Sequence, residues 1–93
     1  MVGRDLIYVG GKPMMNYVVA IMTSFNEGLE EVMVRARGRA ISNAVEIAER
    51  ARIFFPDLRA RVRIGTDKIS QKGGGGVSYI EITLTRGQGL DIN

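Results

Sequence analysis

Hydrophobic and polar positions follow two different periods along this chain, and each change of period marks an element. Asp5 to Val9 is rich in β-formers and stops at Gly10-Gly11, so it reads as a first strand. Lys12-Pro13 then opens a helix, with proline suited to the first turn. Met14, Val18, Ile21, Met22 and Phe25 recur at the spacing of one helical face, and Gly28 stands where a left-handed cap is expected. Glu30 to Ala36 returns to alternation and predicts a second strand. Arg37-Gly38-Arg39 turns the chain. Ile41, Ala44, Val45, Ala48, Ala51 and Phe55 then repeat at helical spacing until Pro56 ends the pattern.

In Arg59–Ile64 and in Ile80–Thr85 the even positions are apolar, which predicts two half-buried strands. Pairing Ile64 with Ile80, Val62 with Ile82 and Ala60 with Leu84 keeps like faces together and centres a hairpin on Lys72. Between Gly65 and Tyr79 apolar side chains are too few to rest on a core. The stretch 65–79 is therefore expected to project as an arm of about seven residues a side, roughly 23 Å at ~3.3 Å per residue. Gly73 to Gly76 supplies a tip that bends without steric penalty. It lacks the glycine spacing, the lysine-serine pair and the following helix of a phosphate loop. The expected architecture is a two-layer α/β (α+β) sandwich, β-α-β-α-β-β, forming one domain over 1–93 with 87–93 as a tail.

Composition removes whole classes of chemistry. The 93 residues include no cysteine, histidine or tryptophan. No disulfide, no ordinary zinc site and no serine–histidine or cysteine–histidine nucleophile can be built. Glu30 and Glu31 point to opposite faces of a strand, and Asp5 and Asp67 stand alone in the sequence, so no acid–base pair is evident. The chain reads as a non-enzyme without metal or cofactor. No signal peptide or membrane span is visible, which predicts an intracellular soluble protein. So small a chain has a thin core, and self-association is expected.

Charge narrows the picture further. The net charge is only +3, but arginine supplies ten of the thirteen basic residues, and they are unevenly placed. Residues 32–76 carry ten basic against four acidic side chains, whereas 1–31 carry two against four. A basic middle suits a phosphate-bearing partner. Lys12 lies on the loop entering the first helix; Arg35, Arg37 and Arg39 surround Gly38 after the second strand. If the first two strands are parallel neighbours, both loops emerge at one edge of the sheet and these cations converge. Arg35 is equally placed to be a solvated strand residue.

The segments Gly-Gly-Lys-Pro-Met-Met-Asn-Tyr-Val (10–18), Phe-Asn-Glu-Gly (25–28) and Val-Arg-Ala-Arg-Gly-Arg-Ala-Ile-Ser-Asn-Ala-Val (34–45) resemble the Alba family of archaeal DNA- and RNA-binding chromatin proteins. The resemblance spans Ile7 to Thr85. It implies a fold similar to the carboxy-terminal domain of translation initiation factor three, paired as a homodimer or with a paralogue, whose body lies over double-stranded DNA while hairpin arms follow minor grooves. Carried onto this chain, the nucleic-acid contacts fall on Lys12, Arg37, Gly38 and Arg39, with Arg35, Asn16, Tyr17, Asn43, Lys68 and Lys72 as further candidates. Tyr17 is equally placed to pack against the body.

The resemblance also marks departures. Many members carry two lysines in the first loop, the first being the position where acetylation weakens DNA binding. Here that position is Gly11, and only Lys12 remains as a candidate for acetylation. Asn43 replaces a frequent lysine. The family further implies contacts between dimers near the end of the second helix. A single helix face can bury Phe55 with Ala51 and Ala48 but not Phe54, so Phe54, or Phe55 if the phase is one residue off, is the candidate anchor; burial of both rings is the alternative. The function implied is largely sequence-independent coating and compaction of double-stranded chromosomal DNA in the nucleoid. Two rivals stand beside it: an RNA-directed member of the family, and a protein-interaction subunit whose basic surface is incidental.

Overall fold

The computed structural model describes residues 3–68 and 75–87. Its strands are β1 (Arg4–Tyr8), β2 (Glu31–Arg37), β3 (Leu58–Lys68) and β4 (Gly76–Arg86), and its helices are α1 (Met14–Asn26) and α2 (Ile41–Phe54). The predicted order of elements is the observed one. The Arg37-Gly38-Arg39 turn is more structured than expected, because Gly38–Ala40 forms a short 3-10 turn leading directly into α2. Gly28 and Gly38 adopt φ of +98° and +56°, which side chains resist and glycine accepts.

The sheet order is β1-β2-β4-β3, with β1 and β2 parallel and the other pairs antiparallel. The β3–β4 register matches the sequence arithmetic: Ile64 faces Ile80, Val62 faces Ile82 and Ala60 faces Leu84. The same ladder runs outward to Lys68 and Gly76, so the base of the arm is paired strand. Lys72 and the centre of the hairpin lie outside the described residues.

Both helices cover one face of the sheet. Val18, Ile21 and Phe25 from α1, Ala44, Ile47, Ala48 and Ala51 from α2, and Val32, Val34, Ile82 and Leu84 from the strands form one core. Two expectations need correction. Val45 is exposed and Ile47 is buried in its place, because the inner stripe of α2 is Ala44-Ile47-Ala48-Ala51. The apolar face of β3 is not buried either: Val62 and Ile64 are 56% and 74% exposed. α2 packs across β2 and β4, so β3, at the sheet's edge, lies beyond its cover.

Candidate nucleic-acid interface

Because β1 and β2 run parallel and side by side, their carboxyl ends point the same way, and Val9 N–H donates to the Arg35 carbonyl at 2.9 Å to fasten them there. The two loops leaving these strands meet at that end. Between them lies a cleft of about 460 Å³ lined by Tyr8 and Gly10 from one side and by Arg35, Arg37 and Arg39 from the other. The antiparallel β3–β4 pair brings the base of the arm, with exposed Lys68, to the same end of the sheet.

The first loop is shaped by Tyr17. Its ring is buried against the core, and its hydroxyl accepts the backbone N–H groups of Gly10 at 2.8 Å and Lys12 at 3.1 Å. Of the two readings of this residue, the structure takes the packed one, with a role in holding the loop that carries Lys12. Asn16 is exposed on the first turn of α1, and its N–H reaches back to the Pro13 carbonyl at 3.0 Å. Asn43 is exposed on the first turn of α2.

Arg35 faces the side of the sheet away from the helices and is not a solvated residue. Its guanidinium donates to Glu81 and, at 2.8 Å, to Asp67, and it lies 4.1 Å above the centre of the Tyr79 ring. Burial works against its charge, but the hydrogen bond and charge of Asp67, then those of Glu81, outweigh it and hold the group above its ordinary value. Gly65 makes room for this stack. A Cβ there would stand 2.6 Å from the Tyr79 hydroxyl, so the bare glycine lets the ring lie flat across β3. Arg37, which is more exposed, approaches the same Asp67 carboxylate at 3.8 Å.

Asp67, isolated in sequence, is therefore the joint between the arm base and β2. Asp5 is likewise engaged, accepting the Ser24 hydroxyl at 2.9 Å. Lys12, Arg39, Arg61 and Lys68 form no ion pair with any described residue. At the far end of α2, Phe55 packs on Phe25 with ring centres 5.8 Å apart and lies beneath Arg86, whereas Phe54 is 52% exposed.

No group of metal-binding side chains occurs among the described residues, and no helix is long and apolar enough to cross a membrane. The Alba family model matches residues 5–56, which hold nearly all of β1, the whole of β2, both loops and both helices. The DNA/RNA-binding protein Alba 1 of Archaeoglobus fulgidus is 49% identical over 86 residues, covering 89% of this chain and 97% of that protein. The DNA/RNA-binding protein Alba of Thermoplasma volcanium is 43% identical over 89 residues, covering 92% and 100%. Among solved structures, Alba from Thermoplasma volcanium superposes with a TM-score of 0.80 at 44% identity, over 87% of this chain and 99% of that one. ALBA1 from Trypanosoma brucei gives 0.69 at 27% identity, over 96% and 76%. With the family model matched over more than half of its residues and the archaeal relatives matched over nearly their full length, the chain belongs to the Alba family.

Proposed function

We propose that this protein is a non-enzymatic, largely sequence-independent binder of double-stranded DNA that coats and compacts the chromosome as a homodimer. The convergence of the Lys12 loop, the Arg37–Arg39 turn and the arm base at one end of the sheet carries this reading. Among the described residues Lys12, Arg39 and Lys68 meet no carboxylate, so phosphates are their natural partners. The amino end of α1, reached through the Tyr17-pinned loop, adds backbone N–H groups and a favourable dipole. The arms extend the same surface, and the names of the relatives, DNA/RNA-binding protein, point the same way.

The dimer reading rests on the bare apolar edge. Val62 and Ile64 on β3 and Val45 on α2 are exposed on the helix-covered side of the sheet, a strip that a second copy would bury. Phe54 and Ile53, exposed at the end of α2, supply the contact from one dimer to the next along a duplex. Exchanging both Arg37 and Arg39 for alanine tests the body contact. Duplex affinity at low salt should fall, and the slope of log K against log salt should flatten by up to about two phosphate equivalents, with the fold intact. Unchanged affinity and slope refute it.

A further inference from the structure

The helices leave the opposite face of the sheet uncovered, and that face has its own chemistry. Register places Arg4, Leu6 and Tyr8 of β1, Glu31, Met33, Arg35 and Arg37 of β2, and the odd-numbered residues of β3 and β4 on it. Six arginines (4, 35, 37, 59, 61 and 63) meet three carboxylates, Glu31, Asp67 and Glu81. That surplus equals the net charge of the whole chain, +3, so all remaining charges cancel.

The surplus is concentrated along one edge. Arg59, Arg61 and Arg63 recur about 6.6 Å apart on β3, given a strand rise of ~3.3 Å per residue. Arg61 forms no ion pair with a described residue, and Arg63, with its side chain 73% exposed, reaches Glu81 only at 3.4 Å. Two shallow clefts flank Arg61: one of about 360 Å³ with Arg59, Thr83 and Thr85, and one of about 320 Å³ with Arg63, Met33 and Glu81. Across the sheet Tyr8 is 64% exposed, and its register partner is the stacked Arg35.

We propose that this bare face is a second binding site, for single-stranded RNA, separate from the loop-and-arm surface. An open strand can place phosphates on the arginine row and turn its bases onto guanidinium planes and the Tyr8 ring; a duplex hides its base faces and cannot. The carboxylates decide between the two kinds of strand. Glu81 and Glu31 repel phosphate but accept hydrogen bonds from 2′-hydroxyls, as do the hydroxyls of Thr83 and Thr85, so the mixed lining favours ribose over deoxyribose. Arg37 joins the two surfaces at the corner of the sheet, next to the Arg39 turn. The proposal shares with the preceding reading the class of ligand and the corner formed by Tyr8, Arg35 and Arg37.

The test compares the full-length protein with Arg61→Ala/Arg63→Ala, Tyr8→Ala and Arg37→Ala/Arg39→Ala variants. Each is titrated with an oligouridylate of about twelve nucleotides, the matching oligothymidylate and a short DNA duplex. The Arg61/Arg63 pair should weaken oligouridylate about tenfold and leave duplex affinity within about twofold, whereas Tyr8→Ala, at the corner shared with the loop cleft, should weaken oligouridylate about tenfold. Thermal melts superimposable on the parent confirm the fold, since these side chains are exposed. Unchanged oligouridylate affinity in the Arg61/Arg63 variant, or parallel loss of duplex and oligouridylate in it, overturns the second site. Oligothymidylate bound as tightly as oligouridylate overturns the assignment to RNA. Failure of the Arg37/Arg39 pair to affect the duplex would refute the loop-and-arm surface while leaving the sheet-face result to stand by itself.

Discussion

Replacing Tyr17 by phenylalanine removes one oxygen and leaves the ring in the core. That oxygen accepts two backbone N–H groups, from Gly10 at 2.8 Å and Lys12 at 3.1 Å. A typical internal hydrogen bond is worth about 0.5–1.5 kcal/mol net, and Gly10 and Lys12 are exposed, so in the variant both amides turn to water rather than being stranded. The loss should total about 1–2 kcal/mol, the lower half of the two-bond range. In a domain of this size that lowers the melting temperature by roughly 4–10 °C at fixed protein concentration. The functional cost follows from the loop. Lys12 and the entry to α1 lose their fixed position, so duplex affinity at low salt should fall about three- to tenfold and the salt slope by at most about one phosphate equivalent. A double-mutant cycle separates positioning from contact. If Tyr17 acts on DNA only by holding Lys12 and its loop, Tyr17→Phe added to Lys12→Ala should cost clearly less than it does alone. Full additivity in fluorescence-anisotropy titrations would refute the positioning role, and an unshifted melt would refute the hydrogen-bond arithmetic.

Four further outcomes are expected. Asp67→Asn removes the carboxylate that Arg37 approaches at 3.8 Å, so duplex binding at low salt should tighten about two- to fivefold, measured by the same titration. Gly65→Ala places a Cβ 2.6–2.7 Å from the Tyr79 hydroxyl and ring, which should cost about 1–3 kcal/mol in denaturant melts and speed amide exchange at the arm base. Val62→Asp charges the exposed strip on β3 without entering the core, and sedimentation should shift toward the monomer with the helical signal retained. Asp57 accepts a hydrogen bond from Arg86 at 2.9 Å, which, against burial, holds its carboxyl below the ordinary 3.8. A depressed carboxylate stabilises the fold above the unfolded-state value and loses that contribution as pH falls through the folded one, so Arg86→Ala should flatten the acid limb of stability below the ordinary carboxylate value.

The elements were legible because each carries its own period. The hairpin register was legible because alternation on two strands admits one pairing that keeps like faces together, and Ile64 opposite Ile80 is that pairing. Convergence of the Lys12 and Arg39 loops followed from parallel neighbours. What the sequence could not supply was lateral position in the sheet. Alternation in Arg59–Ile64 announces a covered apolar face, yet strand order puts β3 outside the reach of α2, and Val62 and Ile64 are left bare within one chain. Val45 and Ile47 exchanged roles for a similar reason, since both fit a helical spacing and only packing chooses the stripe. Tyr17 was ambiguous because its ring and its hydroxyl belong to different environments, one in the core and one in the loop.

The arginines show most clearly why charge must be located before it is interpreted. Arg50 and Arg52 meet Glu46 and Glu49 along α2, Arg86 meets Asp57, and Arg4 meets Glu31, so much of the basic character is answered nearby. Arg35 is held more firmly still, between Glu81 and Asp67 with Tyr79 beneath it. Its contribution to nucleic-acid binding is then indirect: it fixes Asp67, hence the base of the arm, against β2. Among the described residues the unanswered cations are few, and they are not scattered. Lys12, Arg39 and Lys68 share one end of the sheet, and Arg61 lies on its bare face. A field from a handful of fixed, uncompensated charges on a paired scaffold is directional, which the total of +3 is not. The carboxylates that pair with Arg4, Arg35, Arg50, Arg52 and Arg86 thus help select which edge and which face of the molecule a polyanion meets first.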